Sequence, residues 1–215
     1  MLEVKRFIFG PFETNCYVVS DEQHVLLIDP ACYTPYEQQQ LFRYIESVRR
    51  SRSVSEAVCQ CNGLSGEAGL SIVATHGHLD HLWGAKWATD TWHVPVLIHE
   101  ADIPMVHAMQ QQYDMFGVRA TAETFPIEPL TANPSPFTVI STPGHTPGSI
   151  CLYFPNEKTL LSGDTLFQMG YGRTDLPGGN MGQLITSLEK LFTLPSDVIV
   201  YPGHGDFTTI GAEKR

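Results

Sequence analysis

No stretch of this sequence is apolar for long enough to cross a membrane. Hydrophobic residues make up 42% of the 215-residue chain, yet nowhere do about eighteen of them follow one another. The first residues, MLEVKRFIFG, carry neither the apolar core nor the cleavage site of a secretory signal. We therefore expect a cytoplasmic protein with no membrane-spanning segment.

Basic residues are scarce. The chain has 13 Lys and Arg residues against 23 Asp and Glu residues, which gives a formal net charge of −10 at pH 7. The densest basic run, RRSR at residues 49–52, is too short for the electropositive surface that nucleic-acid binding requires. Nucleic acid is therefore not an expected partner. The composition is that of a globular chain, and we expect a single domain over residues 1–215.

The cysteines are too few and too scattered for a disulfide framework. Cys16, Cys32 and Cys151 are isolated, and Cys59 and Cys61 are separated by one residue, whereas the cysteines of a zinc pair are usually separated by about two to four. In a cytoplasmic chain we expect reduced thiols, most of them small residues of the core.

Short β-rich runs and helical patterns alternate along the chain. Residues 4–10, 15–20 and 24–29 predict an antiparallel opening, and residues 35–50 place apolar side chains at helical spacing. Further strands are predicted over 70–74, 94–99, 137–142, 149–154, 159–163 and 197–203, and further helices over 82–92, 100–109 and 181–192. Helices between strands of mixed direction predict an α/β sandwich.

Two segments do not follow this alternation. Residues 51–70 are rich in Ser, Gly and Glu, and we interpret them as a surface insertion, either a loop or a short extra helix. Residues 110–136 contain QQQ and several prolines, and we interpret them as an irregular covering loop.

Histidine and aspartate occur in glycine-rich loops that directly follow predicted strands. The motifs are THGHLDH at residues 75–81, STPGH at 141–145, SGD at 162–164 and PGHG at 202–205. Together they contain His76, His78, Asp80, His81, His145, Asp164 and His204. Because the strand ends of an α/β sheet let side chains converge, we expect these residues to meet in one crevice.

These residue types favour a metal site. Imidazole suits zinc, iron and nickel, and a carboxylate can bridge two ions. Seven ligands are enough for two ions about 3.5–4 Å apart. The other histidines stand alone and are expected to be structural: His24, His93, His99 and His107.

The order of these ligands resembles that of a known family. His-x-His-x-Asp-His, followed by separate His, Asp and His residues, is similar to the signature of the metallo-β-lactamase superfamily, and the resemblance extends over residues 15–210. Within it, IDP at residues 28–30, THGHLDHLWGA, TPGHTPGS, SGDTLF and YPGHG look like the glyoxalase II (hydroxyacylglutathione hydrolase) branch. The resemblance implies an α/β fold, a four-layer αβ/βα sandwich.

The resemblance also implies a role for each ligand. One divalent ion would be held by His76, His78 and His145, and a second by Asp80, His81 and His204. Asp164 would bridge the two ions, which are expected to be zinc, with iron or manganese as alternatives. A metal-bridging hydroxide would be the nucleophile, with Asp80 as a further catalytic residue.

The implied reaction is hydrolysis of a small-molecule thioester, such as a hydroxyacyl-glutathione. A thioester is favoured over an amide because a thiolate, with a pKa of about 8.5, leaves without prior protonation. We expect a short form of the enzyme, without the C-terminal helical extension whose basic residues grip glutathione.

Arg173 stands where a lysine that touches glutathione would fall in the longer enzymes. Its guanidinium could bind an anionic part of the substrate bidentately. Alternatively, it is a loop arginine paired with Asp175. The sequence leaves both interpretations open.

Other functions are compatible with the same ligands. A persulfide dioxygenase of this fold would hold one iron with two histidines and a carboxylate, and His76, His145 and Asp164 could form that triad. The β-lactamases most often recognised by this motif have Cys in place of Asp164 and are exported. An RNA-processing nuclease is disfavoured by the net charge of −10. A non-enzymatic metal-binding module is the remaining alternative.

Overall fold

Two β-sheets lie face to face and carry helices on their outer faces. The computed structural model describes residues 1–51, 69–130 and 137–214. The first sheet has six strands, adjacent in the order β1 Glu3–Phe9, β2 Thr14–Ser20, β3 Val25–Ile28, β4 Leu70–Val73, β5 Val96–Ile98 and β6 Ile127–Pro129. The first three strands pair antiparallel and the others parallel, so the predicted antiparallel opening is confirmed.

The second sheet is formed by later strands. They are β7 Thr138–Ser141, β8 Ile150–Phe154, β9 Thr159–Gly163, β12 Ile199–Pro202 and β13 Thr208–Thr209, in the spatial order β13-β12-β9-β8-β7. Between β9 and β12, the strands β10 Leu166–Phe167 and β11 Gly170–Tyr171 form a separate hairpin. Strand β12 runs parallel to β9, which places the C-terminal ends of both strands side by side.

The helices are α1 Pro35–Ser51, α2 Ala85–Trp92, α3 Ile103–His107, α4 Met109–Met115, α5 Met181–Leu191 and α6 Ile210–Glu213. Capping fixes where some of them begin. The Glu37 carboxylate accepts hydrogen bonds from the backbone N–H of Tyr33 and Thr34 before α1, and Asn180 accepts one from the N–H of Gln183 at the start of α5.

Three apolar clusters separate four layers. The middle cluster joins the inner faces of the two sheets, for example Ile28 and Val73 with Leu152 and Phe154. A second packs the first sheet against α1 and α2, and a third packs the second sheet against α5 and α6. Every residue of β2 is buried because the strand is covered on both faces. The predicted four-layer α/β sandwich is confirmed.

The interpretation of residues 110–136 as an irregular loop was wrong in two places. The helix α4 runs through the QQQ segment, where Gln and Met favour helix and Tyr113 packs on the core. The short strand β6 pairs with β5 at the sheet edge. The predicted insertion at 51–70 lies mostly outside the described residues, as do Cys59 and Cys61, while Cys16, Cys32 and Cys151 are free and buried.

The predicted helix 82–92 begins only at Ala85. It is preceded by a short 3-10 helix, Leu79–His81, and by Gly84. A Cβ at Gly84 would lie 2.9 Å from the backbone oxygens of Cys32 and Pro30, so the chain needs glycine where the two segments meet.

Among the described residues, no helix is both long and apolar enough to span a membrane. The cytoplasmic location and the single domain stay predictions.

Candidate metal centre

The seven predicted ligands lie together at the ends of strands from both sheets. The first sheet contributes His76, His78, Asp80 and His81 from the segment that follows β4. The second contributes the other three after β7, β9 and β12: His145, Asp164 and His204. Sequence reasoning placed each of them after a strand, and the fold brings all seven strand-end residues into one site.

Their ligand atoms form two clusters that share a carboxylate. The three-histidine cluster is His76, His78 and His145, and the mixed cluster is Asp80, His81 and His204; within each cluster the ligand atoms lie within 4.8 Å of one another. Asp164 lies between the clusters, with Oδ2 3.4 Å from His145 Nε2 and Oδ1 3.4 Å from His81 Nε2. A carboxylate in this position could contact two ions at once.

The donor set fits a bound metal. Three buried atoms of the site have no hydrogen-bond partner: His76 Nε2, His81 Nε2 and Asp164 Oδ1. Two of these atoms, His81 Nε2 and Asp164 Oδ1, lie 3.4 Å apart and form an ion pair only. Because a buried atom without a hydrogen bond costs about 1–3 kcal/mol, the group is more stable when a ligand satisfies these atoms. The same three residues form a further group with ligand atoms within 4.8 Å. Nitrogen and oxygen donors in this arrangement are those of a zinc or iron site.

Hydrogen bonds through Nδ1 orient four of the histidine rings, which leaves Nε2 for the centre of the site. The partners are Thr75 Oγ1 for His76 at 3.0 Å, Asp29 Oδ2 for His81 at 2.9 Å, the Arg173 carbonyl for His145 at 2.7 Å and the Phe12 carbonyl for His204 at 3.1 Å. His78 differs, because its Nδ1 lies 2.8 Å from His145 Nε2 and faces the cluster itself.

The charges of the two clusters differ. Burial and the neighbouring histidines lower the pKa of His76 well below its usual value, and burial with His145 lowers the pKa of His78 to about 3. In the mixed cluster, burial also disfavours the charged form of His81. The nearby carboxylates of Asp80 and Asp164 together have the larger effect and raise the pKa of His81. Despite burial, His81 in turn holds the pKa of Asp80 below its usual range. Without metal, His76 and His78 are therefore neutral, whereas Asp80, His81 and Asp164 form an ion-paired network.

The end of β12 is hydrogen-bonded to the first sheet beside the mixed cluster. Asn15 donates its backbone N–H to the Gly203 carbonyl at 2.7 Å, and its Nδ2 donates to the Pro202 and Gly205 carbonyls. Thr14 forms an isolated bridge with His204, and its hydroxyl donates to Asp80 Oδ2 at 2.7 Å. A Cβ at Gly203 would collide with Asp164 Oδ1, so only glycine fits this close approach.

Sequence reasoning assigned no role to Asp102, which braces two ligand loops. This fully buried carboxylate accepts hydrogen bonds from Gly77 N–H at 2.8 Å, Thr146 Oγ1 at 2.7 Å and Gly148 N–H at 2.6 Å. It therefore joins the loop of His76 and His78 to the loop of His145. Its only sequence signal is a lone Asp within a predicted helix.

Gln112 was also missed, because its segment was predicted to be irregular. Its Oε1 accepts the Leu79 N–H at 3.0 Å, and its Nε2 donates to the Gly77 carbonyl at 3.0 Å. One amide group thus holds the ligand loop against α4. Asp29, in the IDP segment, was not given a role either, although it orients His81.

The Arg173 side chain pairs with Asp175, which is one of the two interpretations that the sequence left open. Its Nε and one terminal nitrogen each donate to the Asp175 carboxylate at 2.7 Å, and both side chains are exposed. The residue reaches the site through its backbone carbonyl, which accepts from His145.

The four isolated histidines lie outside both clusters. His24 contacts the Asp21 carboxylate, and His93 takes a left-handed conformation at the end of α2. The His99 ring accepts the Ala101 N–H, and His107 ends α3. These placements agree with the structural roles expected for them.

Comparisons with known proteins agree with this geometry. The sequence profile of the metallo-beta-lactamase superfamily matches residues 9–204. The chain is 31% identical over 218 residues to the probable metallo-hydrolase YqgX of Bacillus subtilis, covering 98% of this chain and 93% of that protein. It is 32% identical over 214 residues to the hydroxyacylglutathione hydrolase GloC of Haemophilus influenzae, covering 95% and 91%.

Solved structures are similar along the whole fold. A di-iron-bound form of TTHA1623 has a TM-score of 0.82 at 30% identity and covers 98% of this chain and 97% of that one. The BLEG-1 B3 metallo-beta-lactamase has a TM-score of 0.78 at 31% identity, with coverage of 99% and 96%. The similar proteins thus include both a di-iron protein and a lactamase.

Proposed function

We propose that this chain, which belongs to the metallo-beta-lactamase superfamily, is a metal-dependent hydrolase of acyl thioesters. The observation that carries the proposal is the pair of clusters joined by Asp164, with three buried donor atoms left unsatisfied by the protein. The three-histidine cluster would hold one divalent ion and the mixed cluster a second, with Asp164 as ligand to both. Zinc is the proposed metal, and iron or manganese would suit the same donors.

Divalent ions bound there supply a Lewis acid and lower the pKa of water to about 7. The protein residues determine where that chemistry acts. The ligands His78, His145 and Asp164 line a hollow of about 190 Å³, which is open to solvent beside Phe12 and Phe116. A substrate carbonyl in this hollow would lie against the ligand side chains.

Asp80 has a second proposed role besides ligation. It lines the hollow next to His204, and its Oδ2 is fixed by the Thr14 hydroxyl. Its carboxylate is therefore held in place to accept a hydrogen bond from a water molecule in the hollow and so to orient that water. Thr14 would act as a positioning residue for this step.

A thioester is the proposed substrate for two reasons. The thiolate product needs no proton donor, because thiol pKa values lie near about 8.5. The relative GloC, whose name describes hydrolysis of a glutathione thioester, is 32% identical over 95% of this chain. This similarity also supports the glyoxalase II-like branch of the superfamily.

The test combines metal analysis with a substrate panel. We expect close to two ions per chain, release of thiol from acyl thioesters, loss of activity with a chelator and recovery with zinc, iron or manganese. A single iron per chain, with rapid oxygen uptake in the presence of a persulfide, would replace this proposal with the dioxygenase.

A second candidate function is β-lactam hydrolysis, which the similarity to BLEG-1 favours. A chromogenic cephalosporin should be included in the same panel. If the metal-loaded protein cleaves the cephalosporin faster than every thioester, β-lactam hydrolysis replaces thioester hydrolysis as the proposed function.

A further inference from the structure

A mainly apolar cavity adjoins the proposed metal centre. Its apolar lining is Met105, Ala108, Met115 and Phe116 from the α3–α4 segment with Leu176 and Pro177, and its polar lining is His78, Gln111 and Gln112. None of the described residues that line it is Lys, Arg, Asp or Glu. Its surface thus suits an uncharged hydrocarbon group.

The cavity is continuous with the hollow above the ligands. His78 lines both spaces, and so do Phe116 and Leu176. A molecule whose reacting carbonyl lies against the ligands can therefore extend directly into the cavity. Gln112 fixes this arrangement, because its amide group ties α4 to the backbone on both sides of His78.

The size of the cavity limits what it can hold. Its volume is about 150 Å³, and an apolar cavity of about that volume can hold a benzene molecule. The group that fits is therefore a phenyl ring or a chain of about four to six carbon atoms. A short polar acyl group would leave much of the apolar wall uncovered.

The opposite side of the hollow offers little to an anionic thiol. Arg173 lines it, but its guanidinium already forms two hydrogen bonds with the Asp175 carboxylate. The pair is formally neutral, so it attracts a charged tripeptide thiol less than an unpaired arginine would. Recognition is therefore expected to come from the apolar acyl group rather than from the thiol.

We propose that this cavity is the acyl-binding site and that the preferred substrates are thioesters with an apolar acyl group of about four to six carbons. This inference rests on the proposed thioesterase function. The probe is a series of N-acetylcysteamine thioesters, from acetyl to decanoyl, assayed with the metal-loaded protein. We expect kcat/KM to rise about threefold to fourfold for each added methylene up to hexanoyl and then to level off or fall.

Two variants test whether the preference for longer acyl chains comes from this cavity. Ala108→Leu partly fills the cavity and should lower the hexanoyl-to-acetyl ratio of kcat/KM at least tenfold. Met115→Glu places a carboxylate at the exposed end of α4 and should lower the same ratio at least fivefold, even if the first variant fails to fold. The matched control Ala101→Leu changes an exposed alanine that does not line the cavity, and it should keep the original profile.

Binding of ketone analogues, in which a methylene group replaces the thioester sulfur, separates the two proposals. Absence of hydrolysis for every thioester would overturn the proposed function. Calorimetry with the acetyl and hexanoyl ketones then tests whether the cavity binds the acyl group. Tighter binding of the hexanoyl ketone, lost in Ala108→Leu, would support the acyl-site inference. Equal rates for all chain lengths, equal affinity for both ketones, or preference for a glutathione thioester over its N-acetylcysteamine counterpart would overturn the acyl-site inference.

Discussion

The three-histidine cluster and the mixed cluster share one carboxylate but differ in charge and exposure. His76, His78 and His145 are all buried imidazoles, whereas the mixed cluster contains Asp80 and His204, whose side chain is 29% exposed. The neighbours of each cluster also differ, because Asp102 joins two loops of the first while backbone contacts of Asn15 hold the second. One fold thus builds an enclosed cluster of imidazoles beside a more open, ion-paired one.

This difference has a consequence for metal binding. A neutral imidazole is ready to bind, whereas a histidine that carries a proton must release it first. We therefore expect the three-histidine cluster to keep its ion under conditions in which the mixed cluster loses its own. The following changes test this ranking.

Asp164→Ala should weaken metal binding at both clusters and so remove the difference in affinity between them, because both clusters lose a ligand. We expect less than one ion per chain and a fall in turnover of about a thousandfold or more. Metal analysis and thioester kinetics measure the two effects. Asp197→Ala, which removes an exposed aspartate that pairs with Lys158, is the control and should change neither quantity. Retention of both ions in Asp164→Ala would refute the bridging role.

His78→Ala and His204→Ala should empty different clusters. The first should lose the more tightly held ion and the second the weaker one, so each variant should retain about one ion per chain. Titration with a chelator distinguishes them, because the ion left in His204→Ala should resist the chelator longer. If both variants retained an ion of the same affinity, the two clusters would not be independent sites.

Lowering the pH from 8 to 6 should remove one ion before the other. The pKa values of His81 and His204 are raised by neighbouring carboxylates despite burial, so protons compete with the metal increasingly as the pH falls. The pKa of His78 is lowered to about 3, so it carries no proton in this range. Metal content after dialysis should therefore fall from two ions towards one. Loss of both ions in parallel would contradict the ranking.

Asp102→Asn should weaken the three-histidine cluster without touching a ligand. The amide keeps only one acceptor oxygen, so either the Gly77 N–H or the Gly148 N–H loses its partner and the two ligand loops should separate. We expect metal affinity at this cluster to fall by about tenfold to a hundredfold. Affinity at the mixed cluster should change less, and the exposed substitution Asp114→Asn serves as the control. An equal loss at both clusters would mean that Asp102 acts on the fold as a whole.

Arg173→Ala should have the smallest effect. The variant keeps the backbone carbonyl that orients His145 and loses only the exposed pair with Asp175. Exposed ion pairs contribute about 0–1 kcal/mol, so metal content and turnover of a neutral thioester should change by less than about threefold. A larger loss confined to anionic thioesters would restore the anion-binding interpretation.

The metal ligands could be predicted from sequence because each lies in a short glycine-rich motif after a strand. The sandwich followed from the alternation of strands and helices. Asp102 and Gln112 could not be found in this way, since their partners are 25 to 46 residues distant and are brought near only by tertiary packing. Arg173 shows the reverse case: its charge suggested a contact with the substrate, whereas its contact with the ligand His145 is made by its backbone carbonyl.

The hydrogen bonds between Asn15 and the end of β12 affect the order in which the site can form during synthesis. Asn15 and Pro202 are 187 residues apart in the chain, and the contacts beside the mixed cluster form only when both are present. A ribosome synthesises the segment of His76 and His78 long before it reaches His204, so a growing chain exposes part of the ligand set without the rest. The mixed cluster therefore gains its complete set of donors only after residue 204 has been synthesised, late in the folding of the chain.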